Sequence, residues 1–325
     1  MRSTYPYESS PYSRIYACYV VGLLMLAYIF SFVDRQIPTL MVEPLKKDLG
    51  ISDTQFSLLH GFAFAIFYTL MGLPIGRLVD SVNRKYIITT GITLWSLMTA
   101  ACGLAQNFWS LFLFRMGVGV GEATLSPAAY SIISDYFPKY IRGRALAVYT
   151  LGISIGIGLA LMVGGAVVEG VAGLGDIALP FVGNVKAWQL VFFIVGLPGL
   201  FVALLSFTIK EPVRQDKLQG DWSRGAVPLK QVFLFVKARW QAYAYLFAGT
   251  SMVIIGNYAI LAWTPSLFIR SHDWGIAQIG LWFGIVNAFF GSMGGYFGGW
   301  LTDRLFKSGY DDAPLRAIES VNISV

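Results

Sequence analysis

Four ionisable residues sit inside long apolar runs, where a charge needs a reason. Asp34 and Arg35 lie in Tyr28-Ile-Phe-Ser-Phe-Val-Asp34-Arg35-Gln-Ile-Pro38, behind the uncharged stretch Ile15 to Val33. Arg115 and Glu122 lie in Arg115-Met-Gly-Val-Gly-Val-Gly121-Glu122-Ala. An ionisable side chain deep in hydrocarbon costs at least about 2.5–3.5 kcal/mol, so such groups face a bundle interior or a wet cavity and mark a pathway. An acid flanked by cations can hold and release a proton; the same cations can hold an anionic solute. Arg115, Gly119 and Glu122 stand at i, i+4 and i+7 and so share one helix face. Pro38 has no N–H for the carbonyl of Asp34 and tends to kink the helix there. Pro127 likewise frees the carbonyl of Ala123 beside Glu122. Two plainer readings compete. Asp34 and Arg35 would lie in the headgroup layer if the helix ended with them, but apolar residues continue from Ile37 to Val42. Arg115 and Glu122 would serve as a structural ion pair locking helices one and four, which is compatible with function.

The elements that position these groups are membrane helices. The chain has 325 residues, 56% hydrophobic and only 13% charged, which excludes a large soluble domain. Eight apolar runs stand out, at roughly 15–42, 54–79, 86–105, 109–136, 144–168, 187–209, 241–269 and 275–302, several near the roughly 20 residues that cross a bilayer. The fold expected is all-α and polytopic: a six-helix bundle over 1–209, a cytoplasmic linker over 210–240 with an interfacial helix at 229–239, and a partial second bundle over 241–325. All but six of the 24 Lys and Arg residues fall in cytoplasmic segments if the N-terminus is inside; the six are Lys46, Lys47, Lys186 and Arg270 outside and Arg35 and Arg115 within the membrane. That asymmetry orients the chain N-terminus in and accounts for the net charge of +6 without a nucleic-acid partner. No small-residue cleavage site follows a short apolar core, so the first helix is expected to be its own targeting signal. Cys18 and Cys102 lie in apolar runs and no disulfide is expected. His60 and His272 have no spaced partner, and no metal set, nucleophile triad or phosphate loop occurs, so neither a cofactor nor enzymatic chemistry is expected.

An internal repeat is present. Gly76-Arg-Leu-Val-Asp80 closes the second helix and Gly299-Trp-Leu-Thr-Asp303 the eighth, 223 residues apart. The same offset pairs Asp34 with Asn257, a neutral amide. Titratable chemistry is therefore expected only in the first bundle, with Asn257, Tyr258 and Trp263 lining the cavity from the other side and Tyr68, among the aromatics Phe62, Phe64 and Phe67, on the solute path. Parallel repeats of six helices would give such spacing. After Asp303 only a polar tail remains, from which a truncated or frameshifted reading frame and a transport-deficient product are expected, with Asn287 and the glycines at 291, 294 and 295 exposed to lipid.

The loop Gly72-Leu-Pro-Ile-Gly76-Arg-Leu-Val-Asp80-Ser-Val-Asn-Arg84-Lys85 resembles the signature of the major facilitator superfamily between helices two and three. It departs by Ser81 in place of arginine and Asn83 in place of glycine. The resemblance implies a cytoplasmic gate formed by Gly72, Gly76, Asp80, Arg84 and Lys85, with Asp303 as its repeat. The stretch from Arg115 is similar to the superfamily's fourth-helix motif, whose arginine is implicated in proton coupling. Val33-Asp34-Arg35, the Gly-Glu-Ala-x-x-x-Pro-Ala stretch and Lys210-Glu211-Pro212-Val-Arg214 resemble the spinster family, above all its bacterial members. The charged residues and the resemblance together point to a secondary transporter in a bacterial inner membrane, proton-coupled through Asp34, Arg35, Arg115 and Glu122 and moving an organic or amphipathic solute by alternating access; the resemblance implies a lysolipid- or sphingoid-like solute, the class exported by the family's animal members. An organic-anion symporter, with Arg35 and Arg115 on a carboxylate, is the second expectation. Helix five carries Gly152-x-x-x-Gly156-x-Gly158 without the proline of the drug antiporters, and its glycines are expected to serve helix packing.

Overall fold

The computed structural model of the chain describes residues 12–173, 177–179, 183–214, 229–310 and 316. The linker residues 215–228, the polar tail beyond 310 other than Arg316, and the side chain of Asp303 lie outside the described part. All eight apolar runs are helical, and six helices are long and apolar enough to cross a membrane. α1 (Arg14–Gln36) starts at Ser13, whose side chain accepts from the Tyr16 amide, and ends where Pro38 forces a 3-10 turn over Ile37–Leu40. α2 (Val42–Leu49) stops at Gly50, whose φ of 62° is the left-handed geometry that favours glycine. α3 (Asp53–Ser57) opens on a Ser52/Gln55 capping box and passes through a π turn, Leu58–Phe62, into α4 (Ala63–Ser81). α5 (Arg84–Cys102) is capped by Asn83, whose side chain accepts from the Lys85 amide. That gives the asparagine found in place of a loop glycine a local task.

The fourth apolar run forms two helices, α6 (Phe108–Glu122) and α7 (Leu125–Tyr136). Pro127 sits in the first turn of α7, where its missing N–H costs nothing, rather than inside one bent helix. α8 (Lys139–Ala172) follows, and then an antiparallel hairpin, β1 (Ile177–Leu179) with β2 (Gly183–Val185), pairs Ile177 with Val185. This hairpin is the one departure from an all-α chain among the described residues; three-residue strands carry too little periodicity to read. The sixth run is α9 (Ala187–Gly196) and α10 (Pro198–Ser206), broken before Pro198. α11 (Leu229–Ala238) occupies the stretch read as interfacial, and α12 (Trp240–His272) and α13 (Ile276–Lys307) complete the described chain.

Two apolar clusters hold α1 to α10 together. One is built around Ile88, Trp95, Ile132 and Tyr149 at the end bearing the basic loops. The other surrounds Leu45, Phe56, Trp188 and Phe192 at the opposite, outer end. α8 lies between α1 and α13. Gly152 and Gly156 face α1, where an added Cβ would stand 3.0 Å from the Met25 carbonyl and 2.8 Å from Phe32 Cβ respectively. Gly158 faces α13, where one would stand 2.8 Å from the Gly284 carbonyl. Helix packing is thus the use made of these glycines. α12 meets the first helices only at the outer end, whereas α13 packs along α8 from Ile276 to Gly291 and parts from it beyond. Residues 240–260 of α12 are exposed apart from the half-buried Tyr243, and Gly294, Gly295, Gly298 and Gly299 of α13 meet nothing within 4 Å. Gly291, expected to face lipid, packs instead on Ser154. The molecule is closed at the outer end and open at the basic end.

Candidate functional site

Asp34, Arg35, Arg115 and Glu122 come together where α1 gives way to its 3-10 turn, and each is at most 8% exposed. Arg35 Nε lies 2.5 Å from Glu122 Oε2, and the Ser31 hydroxyl donates to the same oxygen at 2.6 Å. The ion pair between helices one and four, the plainer alternative in the sequence, therefore exists, but between Arg35 and Glu122 rather than within helix four. The Arg35 guanidinium also lies 4.8 Å, 4.5 Å and 5.0 Å from the ring centroids of Phe32, Phe64 and Tyr68. Three aromatic faces stabilise a desolvated cation electrostatically. Tyr68, read as lining the solute path, thus stands against Arg35.

Arg115 Nη1 donates to the carbonyl oxygen of Asp34 at 3.1 Å. This is the carbonyl that Pro38 leaves without its helical donor, so the proline and the arginine are two halves of one arrangement. No ion pair reaches the Asp34 carboxylate among the described residues. Asp34 Oδ1, both amide atoms of Gln36, Arg115 Nε and Glu122 Oε1 are buried and find no hydrogen-bond partner there. Thr99 on α5 faces Asp34. Buried polar groups are normally satisfied, so four unmatched groups in one layer single this layer out as the candidate site. Ser31, Gln36, Thr99 and Phe32 were not singled out from the sequence, and Phe64 was named there only among the aromatics of the solute path. Ser31 alone left a signal there, four residues before Arg35 and so on its helix face.

The glycines beside Arg115 serve packing: an added Cβ at Gly119 would stand 2.5 Å from the Phe64 carbonyl, and one at Gly121 2.7 Å from the Trp95 amide. The residues expected across the cavity are dispersed. Tyr258 is half-exposed and lies within electrostatic reach of Arg35, whereas Asn257 donates to the Val253 carbonyl of its own helix at 3.0 Å. Trp263 lies at the outer end, edge-on to Phe56 at 6.2 Å. A single offset of 223 residues places helix seven but not its rotation, which is why two of three side chains point elsewhere.

At the basic end, Arg84 is 1% exposed and bonds Asp135 at 2.5 Å, Glu211 at 2.7 Å, Ser131 at 2.7 Å and the Pro212 carbonyl at 3.0 Å. Lys85 donates its amide to Glu211 at 3.3 Å, and Arg214 donates to the carbonyls of Val79 and Val82. Arg84, expected in the same gate as Asp80, is therefore paired with Asp135 and Glu211 instead. Asp80 is exposed, and no ion pair reaches it among the described residues. Close helix approach at Gly72 and Gly76 is absent in this state, since an added Cβ at either meets nothing within 4 Å.

Residues 24–310 match the family model of the Major Facilitator Superfamily. The fold is similar to the inward-facing, unoccupied crystal structure of a bacterial homologue of the human lysosomal transporter spinster, with a TM-score of 0.75 and 33% identity, covering 90% of this chain and 64% of that one. Protein spinster of Drosophila melanogaster is 28% identical over 89% of this chain and 46% of its own length. An MFS-type efflux pump of Mycolicibacterium smegmatis is 28% identical over 88% of this chain and 62% of its own. The chain thus spans about half to two thirds of the length of these relatives.

Proposed function

Because the chain belongs to the Major Facilitator Superfamily, we propose that it works as a proton-coupled secondary transporter with Asp34 as proton acceptor. The chain is an integral membrane protein, similar in sequence and fold to spinster proteins. The observation that carries the reading is the unequal pairing in the charged layer. Glu122 is matched by Arg35, Arg115 is held by a backbone carbonyl, and among the described residues no cation pairs with the Asp34 carboxylate. A proton arriving there changes the layer's net charge without first breaking an ion pair. Binding then favours one access state over the other, as coupling requires. The solute class proposed is amphipathic, lysolipid- or sphingoid-like, entering from the open basic end past Tyr258 and the aromatic faces around Arg35. Arg35 is already engaged by Glu122, which leaves Arg115 alone for a carboxylate and weakens the organic-anion alternative. We place the protein in a bacterial inner membrane with its N-terminus cytoplasmic, on the distribution of Lys and Arg.

The test is thermal stabilisation of the purified protein by a panel of lysolipids, sphingoid bases and organic acids across pH. One class is expected to raise the melting temperature with a pH dependence that Asp34→Asn removes while the protein stays folded. Parent-like pH dependence in Asp34→Asn would sink the proton assignment. Stabilisation by organic acids alone would overturn the solute class.

The exposed Asp80 belongs in this scheme to a cytoplasmic latch that forms only when the basic end closes, together with Gly72 and Gly76. Asp80→Asn is expected to shift the population further towards the inward-facing state by about 0.5–1 kcal/mol, the usual size of a single exposed charge contact. Labelling of engineered cysteines from each side of the membrane reads this. Unchanged labelling from both sides would reduce the loop to a topological anchor.

A further inference from the structure

The outer end carries a charge cluster that joins α12 to the first helices. Arg270, in the last turn of α12, reaches two carboxylates at once. Its Nη2 lies 2.5 Å from Glu43 Oε1 and 3.0 Å from Asp53 Oδ1, and its Nη1 lies 3.3 Å from Asp53 Oδ2. The two contacts to Asp53 form the parallel fork that guanidinium and carboxylate favour. Glu43 is on α2 and Asp53 opens α3, so one side chain holds two elements beyond the 3-10 turn. The guanidinium also stands 5.8 Å from the Trp263 ring, which meets Phe56 edge-on. Lys46 completes the cluster: its Nζ lies 2.7 Å from Asp53 Oδ1, the oxygen that Arg270 also uses. Beneath it, Ala262, Pro265 and Ser266 of α12 are buried where the helix meets Ile37–Leu40.

We propose that Arg270, Glu43 and Asp53 form a reversible outer latch that holds the basic-end-open state, and that Lys46 sets its strength by competing with Arg270 for Asp53. The proposal rests on the alternating-access reading above. In the closed outer end, two cations share one carboxylate oxygen, and their mutual repulsion limits the strength of the contact. When α12 withdraws, Asp53 keeps Lys46, and Glu43, already half-exposed, returns to water. No carboxylate is stranded in an apolar place, so the latch can open repeatedly. Neutralising the two cations has opposite effects. Loss of Arg270 frees the outer end; loss of the Lys46 charge leaves Asp53 to Arg270 and tightens it.

The experiment uses the full chain in membranes, with Cys18→Ser and Cys102→Ala, and Ser266→Cys as reporter. Ser266 is 4% exposed, one helical turn before Arg270, and is shielded while the outer end is closed. Labelling by a membrane-impermeant maleimide from the outer side is measured without solute and without a pH gradient. Arg270→Gln is expected to raise the labelling rate about three- to tenfold and Lys46→Met to lower it about two- to threefold, the scale of single exposed ion pairs. The exchanged pair Arg270→Glu with Glu43→Arg is expected to return the rate to within about twofold of the parent, which a merely misfolded Arg270→Gln could not predict. Equal rates in Arg270→Gln and Lys46→Met, or shifts of the same sign, would overturn the latch. Neither proton nor solute is varied, so failure of the Asp34 assignment leaves this measurement standing, and a null result here leaves that assignment standing.

Discussion

Glu122→Leu is expected to destabilise the folded protein by about 3–5 kcal/mol, because it strands the Arg35 guanidinium in a layer where it is 8% exposed. Arg35→Met should cost less. A carboxyl left alone in an apolar place can be neutralised by a proton, and the Ser31 hydroxyl still bonds it, whereas a guanidinium cannot lose its charge. The faces of Phe32, Phe64 and Tyr68 soften the loss of Glu122 without replacing a counter-ion. The double variant Arg35→Met with Glu122→Leu removes both charges and should recover most of the stability, with a coupling energy of about 2–3 kcal/mol. Thermal unfolding of the four proteins in detergent measures the cycle. Additive losses would show that the 2.5 Å contact carries no mutual stabilisation. The recovered double variant should still fail the pH-dependent stabilisation assay, since Asp34 would lack the charges that tune it.

The second large effect is expected between α8 and α13. A side chain at Gly284 would drive its Cβ to 2.5 Å from Met162 Cγ, a side-chain atom that can shift, and to 2.7 Å from the Gly158 carbonyl, which as backbone cannot. Gly284→Leu should therefore force the two helices apart along their shared length. A reporter disulfide is available one turn or two towards the basic end. An added Cβ at Gly291 lies 3.3 Å from Ser154 Cβ, close to the separation a disulfide spans. Ser154→Cys with Gly291→Cys is expected to cross-link readily in the parent and at least about tenfold more slowly with Gly284→Leu, the overpacking penalty being of order 1–3 kcal/mol. Gly294→Leu, where an added Cβ meets nothing within 4 Å, is the control and should leave the rate unchanged. Equal rates in both would mean that the helices are held by contacts other than this glycine seam.

Much of this arrangement was legible in the sequence because charge inside an apolar run is so costly. Asp34, Arg35, Arg115 and Glu122 announced themselves by burial cost, and Pro38 by the hydrogen bond it removes. What sequence spacing could not supply was pairing across helices. Arg115 and Glu122 share a face of α6, yet each finds its partner on α1, because the close approach of α4 and α5 at Gly119 and Gly121 sets which way that face looks. The same limit explains Arg84, whose partners Asp135 and Glu211 lie 51 and 127 residues further on. Arg270 was read only as a charge outside the membrane, since nothing in its neighbourhood records Glu43 or Asp53, over 200 residues earlier. Local geometry was missed for a different reason: the π turn at Leu58–Phe62 and the hairpin after α8 are too short to impose a period.

The hydrogen bond from Arg115 to the Asp34 carbonyl separates two tasks that fall on one residue. The tether between α6 and α1 runs through the main chain of residue 34, and main-chain carbonyls do not titrate. The carboxyl of the same residue is left to change its protonation without loosening that tether. Under the proton coupling proposed above, a bundle built this way would load and unload charge at its centre while its mechanical frame stays assembled, and the movement that follows would fall to α12 and α13 rather than to the tether between α6 and α1.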